Sequence, residues 1–215
     1  RTAAFKFALK NKTVLRIMNK GLYAYQISGM QKVVKKHNLL RPVRKFNEMN
    51  KAMPDVILSK RITRNINPFR KNDLSIGFFQ GCIMDSFFAN VNELALKIMK
   101  QHYVQVTNIP QQTCCGALQH HAGEVSQTLE LAMTNIKAYE QYDFDYIVNT
   151  IGGCGATLKE YDKLFEPGTE WHKRAVDFTN KVRDISQIMS LIDLEFVNDI
   201  DRNAVYQPSC HLENV

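Results

Sequence analysis

No apolar run in the 215-residue sequence approaches the roughly 18 to 20 residues that span a bilayer, so the chain carries no candidate transmembrane helix. A secretory leader is missing too, and because the first residue is Arg1 rather than Met the chain reads as a fragment of a longer protein. There is no Ser-His-Asp constellation, no Walker loop and no dinucleotide-binding glycine fingerprint, which removes the commonest hydrolase, nucleotidase and dehydrogenase readings. Cysteine is scarce and odd in number. Five cysteines without secretory features point to a reducing compartment, the cytoplasm, where thiols stay unpaired or bind metal.

Acidic residues are nearly absent from the first third. Residues 1–72 hold 18 Lys and Arg against Glu48 and Asp55 alone, a balance of +16, whereas residues 73–215 hold 10 bases and 19 acids, a balance of −9. A basic segment of this kind suits nucleic acid, anionic lipid, an acidic partner or simply a solvated helical face. It contains no recognisable nucleic-acid-binding motif, so no nucleic-acid partner is expected.

Apolar periodicity predicts two or three basic amphipathic helices over residues 5–40, broken at Gly21 and Gly29, and then a connector over 41–71 that contains Pro42, Pro54 and Pro68. From residue 73 strand and helix alternate. Strands are expected at 74–79, 103–109, 146–150 and 204–207. Helices are expected after Cys82 (with Phe87, Val91, Leu94, Ala95 and Ile98 on one face), over 124–142, after Cys154, and over 174–192. Short strands separated by helices imply an α/β fold, a mainly parallel sheet with helices on both faces, preceded by the basic helical segment. The expected organisation is a basic segment and linker (1–72), a cysteine-rich domain (73–203) and the start of a truncated second repeat (204–215). That repeat is suggested by the likeness of Phe78-Phe79-Gln80-Gly81-Cys82 to Val205-Tyr206-Gln207-Pro208-Ser209-Cys210.

Cys82, Cys154 and Cys210 each fall just after an expected strand, and in a parallel sheet those strand ends share one edge, where ligands of open α/β sheets bind. Cys114 and Cys115 are adjacent, and neighbours of this kind bridge each other poorly, because disulfide geometry requires more widely separated α-carbons. A shared soft-metal or redox site is therefore expected at Cys82, Cys114, Cys115 and Cys154, against the alternative of buried cysteines acting as small apolar residues. His120 and His121 are candidates for a nitrogen ligand or for surface positions, His211 beside Cys210 has the same standing, and His37, His102 and His172 read as structural.

The spacing Cys82, 31 residues, Cys114-Cys115, 35 residues, Ile151, two residues, Cys154 resembles the cysteine-rich CCG domain family, whose pattern is a lone Cys, a Cys pair and a final C-x-x-C. Within that family the segments Cys114–Gly123, Gly153–Tyr161 and Val182–Ser186 are most similar to glycolate oxidase iron-sulfur subunits, and residues 1–72 resemble the link that follows their cubane-binding domain, whose cysteines are absent here. The resemblance implies a non-catalytic electron-transfer subunit of an oxidoreductase acting on glycolate or lactate. A flavoprotein oxidase subunit would be its partner, and a quinone-linked acceptor or the periphery of the inner membrane would lie beyond it. It implies an iron-sulfur cluster, of the 4Fe-4S class in the family's terms, with Cys82, Cys114, Cys115 and Cys154 as ligands and Cys210 as a metal ligand of the second repeat. Ile151 stands where the family's five-thiolate pattern has a cysteine. That leaves open a smaller cluster, a cluster completed by His, zinc in a structural or assembly module, or no metal in this fragment.

Overall fold

The computed structural model describes residues 11–53, 55, 56, 58, 74–192, 194, 201–205 and 207. Three helices come first: α1 (Lys12–Ile27), α2 (Met30–Lys36) and α3 (Arg44–Ala52). Asn11 caps α1 by accepting from the Thr13 and Val14 amides. The break expected at Gly29 is present, but Gly21 lies inside α1, where the helix continues through it. Helix α3 replaces part of the expected connector. Its apolar residues Phe46 and Met49 share one face, but that face is open to solvent, and the residue it buries is Asn50. Asn50 Oδ1 accepts from the Tyr25 hydroxyl at 3.2 Å, and its carbonyl accepts from Gln31 at 3.4 Å, which ties the three helices together.

The α/β part is built on four parallel strands: β1 (Ser75–Phe79), β2 (Gln105–Asn108), β3 (Tyr146–Asn149) and β4 (Val182–Asp184), in the order β2-β1-β3-β4. Between them run α4 (Ile83–Phe87) and α5 (Ala89–Gln101), α6 (Ala117–His121) and α7 (Val125–Tyr139), then α8 (Gly152–Lys159), a 3-10 turn at Tyr161–Leu164 and α9 (Glu170–Lys181). Helix α10 (Ile185–Met189) follows β4. The crossover from β1 to β2 runs one way along the sheet, and those from β2 to β3 and β3 to β4 run the other. Right-handed crossovers therefore place their helices on opposite faces.

The side chains divide accordingly. Ile76, Phe78, Val106 and Val148 pack with Ala95, Leu96 and Met99 of α5 and Ile188 of α10. On the other face Phe79, Ile147 and Val182 pack with Leu131, Ala132, Ile136 and Tyr139 of α7 and Ala175 and Phe178 of α9. Each fully buried aliphatic or aromatic chain here contributes roughly 1.5–3 kcal/mol. Alternation along β1 thus feeds two cores, as a sheet covered on both faces requires.

Three expectations need correction. Val91 and Leu94 are exposed, and α5 instead buries Ala89, Asn92, Ala95, Leu96 and Met99, because Asn92 is drawn inward by hydrogen bonds to the Gln80 carbonyl and Thr150 hydroxyl. The single helix expected over 174–192 is α9, β4 and α10. Val182 to Asp184 pair with Ile147 to Asn149, and Asp184 caps α10 in a reciprocal capping box with Gln187. The expected strand over 204–207 is not formed at Ala204 and Val205, and Val205 is almost fully exposed. Tyr206, and with it Cys210 and His211, lies outside the described residues.

The basic segment is joined to this body. Leu15 is buried in the same core as Phe79 and Cys82, the Asn19 amide donates to the Ser86 carbonyl, and Arg16 pairs with Asp85 of α4 at 3.4 Å.

Candidate functional site

Strands β1 and β3 are neighbours whose connections leave in opposite directions, which opens a crevice beyond their carboxyl ends, the usual ligand position in open α/β sheets. Cys82 follows β1, the pair Cys114-Cys115 follows β2, and Cys154 lies in the first turn of α8, after β3. The fold brings these four together. Cys82 Sγ lies 3.3 Å from Cys114 Sγ, and Cys115 Sγ lies 3.2 Å from Cys154 Sγ. All four are free thiols; Cys82, Cys114 and Cys115 are buried, and Cys154 is partly open to solvent.

Two glycines make the approach possible. Gly81 (φ 71°) turns the chain after β1, and a side chain there would meet Ile151 Cδ1 at 2.8 Å. Gly116 (φ 86°) turns the chain directly after the cysteine pair and caps α6. Both φ values lie in the left-handed region that glycine enters without steric cost. The Ile151 Cδ1 methyl therefore occupies the space beside the Gly81 turn that leads to Cys82.

The loops bearing the cysteines are held by buried amides and phenols. Asn135 of α7 accepts from the Thr113 amide (2.8 Å) and hydroxyl (3.1 Å) and donates to the Cys114 carbonyl (3.0 Å) and the Tyr161 hydroxyl (3.0 Å). Tyr161 in turn donates to the Cys115 carbonyl at 2.8 Å. Gln112 Oε1 accepts from the Gln80 amide at 3.0 Å and lies 3.1 Å from the Tyr139 hydroxyl, which fixes the turn before Cys82. Asn149 Oδ1 accepts from the Ile151 amide at 3.1 Å, just before Cys154. Buried polar networks of this kind favour one loop geometry, because breaking a bond strands a buried partner. Sequence reasoning did not pick out these residues. The signal available was Asn135 sitting within the buried stripe of α7, four residues after Leu131 and four before Tyr139.

Three of the metal-free thiols, Cys82, Cys114 and Cys115, are held protonated. Cys82 is pushed far above the ordinary range by the hydrogen bond it shares with Cys114, and then by burial. Cys114 is pushed up to about 12, chiefly by its contact with Cys115 and also by burial, while its contact with Cys82 pulls the other way. For Cys115 the largest influence, Cys114, lowers the value, but contact with Cys154 and complete burial outweigh it. Crowded thiols cannot all ionise without a cation among them.

The donor set fits an iron-sulfur group in kind: soft sulfurs from three connections, in two close pairs, with three of the four cysteines buried. A five-thiolate arrangement lacks its fifth sulfur at Ile151. Among the described residues no three His, Cys, Asp or Glu side chains already surround a single metal position, the thiols forming two close pairs instead. His120 and His121 are exposed on α6, with their rings 6.1 Å apart.

Residues 76–159 match the family model described as "Cysteine-rich domain" (CCG), and residues 1–53 match "Glycolate oxidase iron-sulfur subunit, linker region". The chain is 37% identical over 201 residues to the "Probable glycolate oxidase iron-sulfur subunit" of Bacillus subtilis, covering 89% of this chain and 45% of that protein. It is 30% identical over 146 residues to "Lactate utilization protein A" of Oceanobacillus iheyensis, covering 66% and 58%, and 27% identical over 141 residues to the protein of the same name from a Geobacillus species, covering 65% and 58%. The chain thus spans about half the length of the curated relatives it matches. No solved structure matches it. The lone cysteine, the cysteine pair and Cys154, gathered at one sheet edge, all lie within residues 76–159, the part of the chain that matches the cysteine-rich CCG domain family.

Proposed function

We propose that this chain is the cluster-binding part of an iron-sulfur subunit in a 2-hydroxy-acid oxidising system, glycolate or lactate, which receives electrons from a flavoprotein subunit in the cytoplasm. The observation that carries the reading is the convergence of Cys82, Cys114, Cys115 and Cys154 at the crevice between β1 and β3. The names of the relatives supply the chemistry of the system. Four thiolates match the ligand number of a cubane or a [2Fe–2S] cluster. When bound, such a group supplies one-electron transfer.

The protein's own residues do the rest. The four thiols give up their protons on loading, so uptake is coupled to proton release. Asn135, Tyr161, Gln112 and Asn149 keep the sulfurs in register while they do so. Burial of three cysteines keeps water out, and the partly open Cys154 marks the side on which a redox partner can approach. Helices α1–α3 offer that partner, or an anionic membrane edge leading to a quinone-linked acceptor, a basic face. Ten Lys and Arg stand against Glu48 alone in residues 11–53, with Ile17, Ile27, Phe46 and Met49 exposed among them.

The test is iron, sulfide and zinc analysis of anaerobically purified protein, alone and within its full-length parent. Iron with acid-labile sulfide, lost in Cys114→Ala and Cys115→Ala, is the expected result. Stoichiometric zinc without sulfide would instead favour a structural module, and full thiol reactivity with no metal in the full-length protein would end the proposal.

A further inference from the structure

Gln119 is the third residue of α6, five positions after Cys114, and its side chain is fully buried. Its Oε1 lies 4.0 Å from Cys114 Sγ, and its Nε2 has no hydrogen-bond partner at all. A buried amide donor left idle is unfavourable, because it gives up its bonds to water for nothing, so an N–H in that position calls for an acceptor. The only polar group set against this carboxamide by a described bond is the Cys114 sulfur.

The two states of that sulfur ask for opposite faces of the amide. As a thiol, Cys114 donates its S–H toward Gln119 Oε1. As a thiolate ligand it has no hydrogen to give and accepts instead. A half-turn about the last side-chain bond exchanges Oε1 for Nε2 with almost no change of shape. Small inward movement then makes an N–H···S bond and gives the Gln119 donor a partner.

Resting on the iron-sulfur reading above, we propose that Gln119 is a tuning residue for the redox group, its carboxamide donating to the Cys114 thiolate and stabilising the more reduced, more negative state. Hydrogen bonds to cluster sulfurs are one of the protein's means of setting reduction potential. His120 and His121, exposed on the same short helix, have no such position.

The experiment compares anaerobically reconstituted parent, Gln119→Leu and Gln119→Asn, each checked for iron and sulfide content and for its circular dichroism melt. Redox titration followed by electron paramagnetic resonance should place Gln119→Leu at a more negative potential than the parent at equal cluster content. Gln119→Asn, whose shorter arm still carries an N–H, should lie between them. As a measurement that needs no variant, parent protein labelled with 15N in its glutamine side chains should show a 15N hyperfine coupling in the reduced cluster. An unchanged potential in Gln119→Leu overturns the tuning role, as does the absence of that coupling. Loss of cluster from a Gln119→Leu protein with the parent's melt also overturns it, by assigning the residue to assembly. Absence of iron and sulfide from the parent removes the iron-sulfur reading itself, and the inference with it.

Discussion

Replacing Asn135 by leucine tests whether the buried amide network, rather than apolar packing, fixes the cysteine loops. Leucine has nearly the same shape, so the change removes hydrogen bonds without opening a cavity. Four are lost: two accepted from Thr113 and two donated, to the Cys114 carbonyl and the Tyr161 hydroxyl. Tyr161 keeps its bond to the Cys115 carbonyl. The Thr113 amide loses the partner that Asn135 gave it, while the Cys114 carbonyl keeps the Thr113 hydroxyl at 3.4 Å; at about 1–3 kcal/mol for the stranded amide and about 0.5–1.5 kcal/mol for each of the two donated bonds, the loss is about 2–6 kcal/mol. Against a total stability of roughly 5–15 kcal/mol this is a large fraction. A middle value of ~4 kcal/mol corresponds to a fall in melting temperature of roughly 8–16 °C for a chain of this size. Urea denaturation of the metal-free protein, read by circular dichroism, measures it directly. Tyr161→Phe should lose less, and the double variant should lose less than the two single losses added, because Asn135 and Tyr161 are bonded to each other. A loss below about 1 kcal/mol, the range of ordinary surface changes, would refute the reasoning.

Three further outcomes are expected. In metal-free protein exposed to a mild oxidant, Cys82 should join Cys114 and Cys115 should join Cys154, since each pair begins 3.2–3.3 Å apart; peptide mapping that finds other pairings would contradict the arrangement. Metal-free protein should lose stability in alkali. The Cys114 thiol stays protonated in the fold up to about 12 but ionises near 9 when unfolded, so its contribution is complete below pH 9 and fades as pH rises toward 12. Denaturation midpoints of parent and Cys114→Ala should then converge across that window, and parallel curves would exclude the linkage. Gly77→Ala should cost about 1–3 kcal/mol by overpacking, because the new methyl would lie 2.7 Å from Phe144 Cε2; Phe144→Leu should recover part of the loss, and a purely additive double variant would show that the ring is not the obstacle.

Much of this was legible in the sequence where one physical rule acted alone. Strands β1, β2 and β3 stand where runs such as Ile76–Phe79 and Ile147–Val148 announce them, and cysteines placed after strands converge because parallel strands share an edge. Reading failed where two rules competed. Val182, Ile185 and Met189 keep helical step, yet pairing with β3 and the Asp184 cap turn three residues into a strand. In α3 the apolar residues Phe46 and Met49, three positions apart, face solvent, so their spacing did not point to the residue the helix buries, Asn50. The supporting residues Asn135, Gln112 and Gln119 were hidden for a related reason: a polar residue on a buried stripe looks like an interruption until its partners, 5 to 32 positions away in the chain, are placed beside it.

The order of the strands also sets a sequence in time. Strand β2 can pair with β1 as soon as it leaves the ribosome, which brings Cys82 near Cys114 and Cys115. Cys154 can arrive only after β3 has passed over β1 to its far side. A guest that needed all four sulfurs would therefore find its last handhold only once the third strand is in place, and a chain still short of it would offer three sulfurs at most.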